Sequence, residues 1–153
     1  MFDSQSRTIP SGFDDEGLFG NLEARRYLGA RIDARAGRSV LLHGPSGCGK
    51  SLLALLYAKA FVCLDPDTRP CGRCRACKMC DDGIHPNVQI FEHDGEDEGF
   101  ARKINAKARA ESLGEGRFVT VLDRPELISR RGLELLRDRM GRLSPKVIFI
   151  CCT

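Results

Sequence analysis

One stretch of the chain has the residue types and spacing of a phosphate-binding loop. It reads Gly44-Pro45-Ser46-Gly47-Cys48-Gly49-Lys50-Ser51, which fits G-x-x-x-x-G-K followed by Ser or Thr at every defined position. Glycines in such a loop let successive main-chain N–H groups face a polyphosphate, and the next helix adds its positive dipole. Lys50 would neutralise the β- and γ-phosphates of ATP, and the Ser51 hydroxyl would bind Mg²⁺. The alternative is a chance glycine-rich turn, but an apolar strand precedes the motif and an apolar helix follows it.

A candidate partner for the Mg²⁺ ion ends a later apolar run. The run Val119–Leu122 delivers Asp123, as in the Walker-B arrangement, although Asp123 could instead start a turn or cap a helix. Many hydrolytic proteins of this class have Glu at the next position, whereas this chain has Arg124, a cation that cannot act as a base. Glu126 is a substitute base only if the chain bends suitably at Pro125. We therefore expect nucleotide binding with weak or no hydrolysis.

A second group of residues has the spacing of a metal site. The chain has eight cysteines, and five of them lie between positions 63 and 80. Cys71, Cys74 and Cys77 are each separated by two residues, and Cys63 lies eight positions upstream of the first. Four thiolates at this spacing can converge on a tetrahedral Zn²⁺, which would fix a loop that has little core of its own.

Other interpretations of the cysteines stay open beside zinc. Cys80 is either a spare cysteine or an alternative ligand, and His85 is a further candidate ligand. The C-x-x-C repeat also resembles part of an iron–sulfur run, but the ferredoxin pattern has three residues before a last cysteine that Pro follows. Here two residues precede Cys80, and Asp81 follows it. A group of reduced thiols without metal is the remaining alternative.

Hydrophobic patterning predicts the elements that position these groups. Apolar runs predict four strands at Ser39–His43, Asn87–Phe91, Arg117–Leu122 and Lys146–Cys152. Helical spacing predicts helices within Leu18–Gly37, Ser51–Val62, Phe100–Leu113 and Ser129–Arg142. The remaining predictions are a flexible tail over residues 1–16 and no regular element over Asp65–Pro86. Strands that alternate with helices predict an α/β fold with a parallel sheet flanked by helices.

Composition excludes several classes of protein. The 153 residues, 42% hydrophobic and 29% charged, are typical of one globular domain rather than a disordered chain. No apolar run approaches the roughly 20 residues of a membrane helix, so we expect no membrane association. A net charge of +3 is too small to indicate nucleic-acid binding by itself. Clustered cysteines without an export signal indicate a reducing, cytoplasmic location.

The order of these motifs resembles a known family. GPSGCGKS, then Cys63, then PCGRCRAC and HPNVQIFEHDG resemble the ATPase subunits of bacterial DNA polymerase III clamp loaders, of the tau/gamma and delta-prime types. The run from Leu18 to Asn21 resembles the segment near the adenine, and RFVTVLDRPELISRRGLELL resembles the Walker-B strand and next helix. KVIFICCT resembles the strand that ends in the sensor-1 residue, here Thr153.

The resemblance implies an AAA+ ATPase domain with an inserted zinc module, acting in DNA replication. Residues 17–153 would form an incomplete nucleotide-binding domain, with the zinc module at about 63–86. The arginine finger, lid and collar of the family would lie beyond residue 153. The implied cofactors are ATP, Mg²⁺ and Zn²⁺, and the implied partners are other clamp-loader subunits, a sliding clamp and primed DNA. Arg124, Gly141-Arg142 and the extra Cys80 depart from the pattern, and delta-prime subunits can act without hydrolysis.

Two arginines suggest a nucleic-acid contact. Arg130 and Arg131 open a predicted helix, where cations oppose the helix dipole and so do not favour the helix itself. The resemblance implies that this helix start faces duplex DNA, which makes both residues candidate phosphate ligands. The alternative is a solvated helix face.

Two rival functions remain. One is an active ATPase of the same family that activates water through Glu126 or a neighbouring subunit. The other is a zinc-dependent interaction module whose phosphate loop is vestigial.

Overall fold

The computed structural model describes residues 22–33, 39–92, 102–104, 117–140 and 147–153. The strands are β1 (Val40–Leu42), β2 (Val88–Glu92), β3 (Phe118–Asp123) and β4 (Val147–Cys152). The helices are α1 (Leu22–Asp33), α2 (Lys50–Val62), α3 (Arg75–Asp81) and α4 (Arg130–Met140), and Pro125–Leu127 forms a 3-10 turn.

The four strands form one parallel sheet in the order β1-β4-β3-β2. Parallel strands are covered on both faces and therefore read as continuous apolar runs. In β3, five of the six residues are buried, and in β4 again five of six are buried. This sheet with flanking helices confirms the predicted α/β fold.

One face of the sheet packs on α1 and α2. Val119 and Val121 of β3 alternate along the strand with residues that point to the other face, and Ile148 and Ile150 of β4 do the same. They contact a helix that is apolar nearly all round, since seven of the 13 residues of α2 are buried. The buried part of α2 is Leu53, Ala54, Leu56, Tyr57, Ala58, Lys59 and Ala60.

The opposite face carries a second, smaller core. Phe118 and Leu122 of β3 and Phe149 of β4 pack there with Ile104 and Ile128. The period of two along each strand thus supplies both cores from the same apolar run.

The predicted strands match the observed ones to within one residue at each end, and α2 begins at Lys50, one residue before the predicted start. One prediction was wrong. Asp65–Pro86 was expected to lack any regular element, but Arg75–Asp81 forms the helix α3. Cys74 caps it, because its sulfur accepts a hydrogen bond from Cys77 N at 3.4 Å. The turn-rich composition of the segment hid this helix.

Some predictions lie outside the described residues. They include the tail over residues 1–16, the segment from Leu18 to Asn21, most of the helix over residues 100–113 and the departure at positions 141–142. Across the described ranges, no helix is long and apolar enough to cross a membrane.

Candidate functional site

The carboxyl edge of the sheet brings the predicted nucleotide-binding residues together. Leu42 of β1 is in register with Cys152 of β4, and Cys152 is in register with Asp123 of β3. In α/β sheets ligands bind outside the carboxyl ends of the strands. The loop that follows β1, the carboxylate that ends β3 and Thr153 after β4 all lie at this edge.

The loop from Gly44 to Gly49 turns tightly before α2. Gly47 has φ 79° and Gly49 has φ 89°. Both angles lie in the left-handed region, which residues other than glycine rarely adopt. Gly49 also precedes the first turn of α2, which contains no acidic residue. The positive end of this helix dipole is therefore not offset by a carboxylate within α2, and an anion is favoured there.

Lys50 closes the loop on itself. Its Nζ donates to Gly44 O and Pro45 O, each at 2.8 Å, and lies 3.9 Å from Cys48 Sγ. An ammonium has three donors, and carbonyl oxygens occupy at least two of them here. Phosphate oxygens are stronger acceptors for the same donors because both partners of the hydrogen bond are then charged.

Ser51 and Asp123 supply two oxygens of the kind that Mg²⁺ prefers. Ser51 Oγ donates to Asp123 Oδ2 at 3.4 Å, a long hydrogen bond between groups 72 positions apart. Magnesium sites commonly combine one or two protein oxygens with phosphate and water, so the residues fit the ion.

Burial and the neighbouring Asp123 carboxylate raise the pKa of Cys152 to about 12, so this thiol stays neutral.

Arg124 turns the chain sharply after the strand. It has φ 53°, its N donates to Cys152 O at 3.0 Å, and Pro125 then begins the 3-10 turn. Glu126 is exposed on that turn rather than at the end of β3, where Asp123 lies. Its proposed role as a base stays a prediction.

Thr153 is fixed against the entrance to the loop. Its N donates to Leu42 O at 2.9 Å, and its O accepts from Gly44 N at 3.3 Å. Its side-chain Oγ1 lies 3.0 Å from His43 Nδ1. The sequence did not mark His43 as a site residue, because its partner lies 110 positions away and no local pattern links them.

The four predicted cysteine ligands converge at the end of α2. The sulfur atoms of Cys63, Cys71, Cys74 and Cys77 all lie within 4.8 Å of one another. Four thiolates around Zn²⁺ at the usual bond length of about 2.3 Å lie roughly 3.8 Å apart. Small side-chain movements would therefore complete a tetrahedral site, and the residues fit the ion.

Main-chain amides already point at these sulfurs. Cys71 N donates to Cys63 Sγ at 3.5 Å, and Cys74 N donates to Cys71 Sγ at 3.3 Å. Burial raises the pKa of the Cys74 thiol, but hydrogen bonds from Leu64 N and Cys77 N outweigh burial and bring the pKa to about 6. Burial also raises the pKa values of Cys63 and Cys77, so a bound cation would be needed to ionise these two thiols.

Comparison with known proteins identifies the family. Residues 27–131, more than half of the 153, match the family described as DNA polymerase III, delta subunit. The chain belongs to this family. The resemblance to clamp-loader subunits that the sequence motifs carried is thereby confirmed.

Individual relatives from this polymerase cover different parts of the chain. The DNA polymerase III subunit delta' of Bacillus subtilis (strain 168) is 41% identical over 61 residues, 40% of this chain and 18% of that protein. The subunit delta' of Pseudomonas aeruginosa is 38% identical over 66 residues, 42% of this chain and 20% of that protein. The subunit gamma/tau of Mycobacterium tuberculosis (strain ATCC 25618 / H37Rv) is 25% identical over 131 residues, 82% of this chain and 23% of that protein. The chain thus matches about a fifth of the length of these relatives.

In this DNA polymerase III family member, the fifth cysteine lies apart from the other four. Cys80 is 3% exposed and belongs to the same core as the buried residues of α2. Burial raises the pKa of its thiol to about 11. His85 is partly buried, and its Nδ1 accepts a hydrogen bond from Asn87 N at 3.1 Å. Neither residue belongs to the four-sulfur group, and their roles as alternative ligands stay predictions.

Asp65 organises the loop that carries the cysteines, and the sequence analysis missed it. Its carboxylate accepts from Asp67 N at 3.0 Å, from Thr68 N at 3.1 Å and from the exposed Arg73 at 3.1 Å. Mainly the hydrogen bonds from Thr68 and Asp67 hold the pKa of Asp65 well below its usual range. The run DPDT is a recognisable Asx-turn pattern, so a local signal was present.

An ion pair joins the cysteine loop to the helix of the phosphate loop. Lys59 Nζ on α2 lies 2.7 Å from Asp81 Oδ1 at the end of α3. The Lys59 side chain is 7% exposed and that of Asp81 is 48% exposed. Such a pair depends on the tertiary packing of two helices, and the sequence pattern did not indicate it.

The two candidate DNA-binding arginines lie at the start of α4. Arg130 is exposed, and its Nε donates to Glu134 Oε1 at 3.3 Å. Arg131 is also exposed. Ser129 Oγ accepts from Gly132 N at 3.2 Å and caps the helix. The binding of phosphates by these two arginines stays a prediction.

Proposed function

We propose that the chain is an ATP-binding AAA+ module of a DNA polymerase III clamp-loader subunit that acts in DNA replication. One observation supports this proposal above the others. The glycine-rich turn before α2, the Lys50 ammonium and the Asp123 carboxylate lie at one edge of a parallel sheet. Phosphate loop, cation and metal-binding carboxylate are the parts that phosphoryl-transfer proteins use to hold a nucleotide.

In this proposal each group has a separate task. Main-chain amides of Ser46, Gly47 and Gly49 and the α2 dipole hold the phosphates, and Lys50 neutralises them. Ser51 and Asp123 hold Mg²⁺. Hydrolysis is weak or absent, because the position after Asp123 carries Arg124 and Glu126 is exposed on the next turn.

The zinc site has a structural task in this proposal. Cys63 ends α2, and the other three ligands lie on the loop and helix that follow it. Zn²⁺ bound by four thiolates would fix that segment against α2.

The proposed partners follow from the relatives, which are subunits of DNA polymerase III. They are other clamp-loader subunits, a sliding clamp and primed DNA, the last bound by Arg130 and Arg131. In the assembled complex, the double change of both arginines to Ala should make the salt slope of DNA binding shallower by about 0.9 for each phosphate that is no longer neutralised. An unchanged slope would show that these arginines do not bind phosphates.

Binding of a fluorescent ATP analogue tests the nucleotide site. We expect saturable, Mg²⁺-dependent binding to the zinc-loaded chain, and Lys50→Ala should weaken it by at least about tenfold because charge-assisted hydrogen bonds are removed. Lys78→Ala, which removes an exposed ammonium on α3, is the matched control and should leave the affinity within about twofold. Equal affinities for all three proteins would instead favour a vestigial loop.

Steady-state phosphate release distinguishes the proposed module with weak or no hydrolysis from an active ATPase. The proposal predicts that, with Mg·ATP, this chain and its assembly release no more phosphate than the same proteins carrying Lys50→Ala. Release that disappears in Glu126→Gln would identify an active ATPase that uses this base.

A further inference from the structure

The side chains of His43 and Thr153 meet beside the phosphate loop. His43 Nδ1 lies 3.0 Å from Thr153 Oγ1. The two residues directly follow Leu42 and Cys152, which are paired between β1 and β4. The main chain of Thr153 makes two further hydrogen bonds, from its N to Leu42 O and from Gly44 N to its O. Three hydrogen bonds therefore hold Thr153 against the residues that enter the loop.

The direction of the side-chain hydrogen bond decides what the Thr153 hydroxyl can do. A hydroxyl has one hydrogen to donate and two lone pairs, and a neutral imidazole has one donor nitrogen and one acceptor nitrogen. If His43 Nδ1 lacks a hydrogen, the Thr153 O–H donates to it and is used up. If Nδ1 carries the hydrogen, it donates to Oγ1, and the Thr153 O–H remains available for an anion.

We propose that His43 is a positioning residue that donates from Nδ1 to Thr153 Oγ1 and so directs the Thr153 hydroxyl hydrogen to the terminal phosphate of a bound triphosphate. This inference rests on the proposed function, because it needs a nucleotide in the loop. The location of the His43–Thr153 pair supports a contact with phosphate, since His43 directly precedes Gly44, the first residue of the loop.

The pair would therefore favour the binding of ATP over ADP. Lys50 and the loop amides would bind the β-phosphate that ADP and ATP share, whereas the His43–Thr153 pair would contribute only when a third phosphate is present. Loss of His43 should therefore change the ratio of the two affinities rather than both affinities equally.

Calorimetry with ADP and with a non-hydrolysable ATP analogue tests the pair in the zinc-loaded chain. We expect His43→Ala to lower the affinity for the ATP analogue by about fivefold, which corresponds to one net hydrogen bond. The affinity for ADP should stay within about twofold of the wild-type value. His43→Asn should keep most of the wild-type ratio, because its side-chain amide can donate from a similar distance.

A double-mutant cycle identifies Thr153 as the group through which His43 acts. Thr153→Val removes the hydroxyl at nearly constant shape and should reproduce the ratio of His43→Ala, and the double variant should lose nothing further. In parallel, the ¹⁵N shifts of the His43 imidazole should report a hydrogen on Nδ1 when the ATP analogue is bound.

Specific results would overturn the inference. Equal losses for ADP and the ATP analogue in His43→Ala would indicate a merely structural role, as would additive losses in the double variant. An unchanged ratio would show that His43 does not act on Thr153. If the wild-type chain binds neither nucleotide, the proposed function fails first, and that result differs from all of these.

Discussion

At the scale of single residues, Lys50 shows how the loop is prepared for an anion. Its ammonium bridges Gly44 O and Pro45 O instead of extending into solvent. An incoming polyphosphate would exchange these neutral acceptors for charged ones, which make shorter and stronger hydrogen bonds. The side chain is thus already at the loop, and little side-chain entropy would be lost on binding.

Arg124 gives a stability prediction at the same scale. A residue other than glycine in the left-handed region is strained by about 1–2 kcal/mol, and Arg124 has φ 53°. Arg124→Gly should raise the free energy of unfolding by about 0.5–1 kcal/mol, after allowing for the greater freedom of glycine in the unfolded chain. Urea unfolding at a fixed zinc concentration measures the change.

Arg124→Ala is the control for that measurement. It removes the charge but keeps the strain, so we expect the free energy of unfolding to stay within about 0.5 kcal/mol of the wild-type value. A loss of stability in Arg124→Gly would contradict the assignment of strain.

At the scale of elements, α2 connects the two candidate sites. It begins at Lys50 in the phosphate loop, and Cys63 follows its last residue. The Lys59–Asp81 ion pair and the buried Cys80 join α3 to the same helix and its core. The cysteine module is therefore packed on the helix that positions the phosphate loop.

Removing Asp81 tests this packing. Asp81→Ala leaves the ammonium of Lys59 buried without its carboxylate, and we expect a loss of about 1–3 kcal/mol in the free energy of unfolding. The loss should be below that for a fully buried pair because Asp81 is 48% exposed. Asp82→Ala, one residue along the chain and exposed, should change little, and Lys59→Met in the Asp81→Ala background should restore stability.

That rescue is the discriminating step. If Lys59→Met fails to recover any stability in the Asp81→Ala background, the loss does not come from the uncompensated ammonium.

Metal removal is the second prediction at this scale. We expect one zinc per purified chain, no visible absorption of an iron–sulfur cluster, and a lower melting temperature after chelation because the cysteine loop loses its cross-link. Single Cys→Ser changes at positions 63, 71, 74 and 77 should each lower the zinc content. Cys80→Ala is the control and should retain one zinc, and a loss of zinc there would make Cys80 a ligand.

The elements also show where sequence patterns suffice and where they do not. The apolar run of β3 and the spacing of Cys71, Cys74 and Cys77 are local, so both were predictable. Helix α3 was missed because its segment is turn-rich, and its N-cap is a cysteine sulfur rather than the usual Ser or Asp. The His43–Thr153 contact depends on the strand order, which places β4 between β1 and β3. No sequence period reports such an order.

At the scale of the whole molecule, one parallel sheet serves two purposes. Its two faces bury the apolar residues of the strands, and its carboxyl edge gathers groups from three separate strands. Membership of the DNA polymerase III delta subunit family agrees with this architecture. We therefore propose that this edge holds a nucleoside polyphosphate.

Calorimetric titration of the zinc-loaded chain with ATP, ADP and AMP in the presence of Mg²⁺ tests this proposal. The loop amides and Lys50 act on the β-phosphate, which AMP lacks, so ATP and ADP should bind and AMP should bind at least about a hundredfold more weakly. No heat with ATP or ADP, or an equal affinity for AMP, would contradict the account.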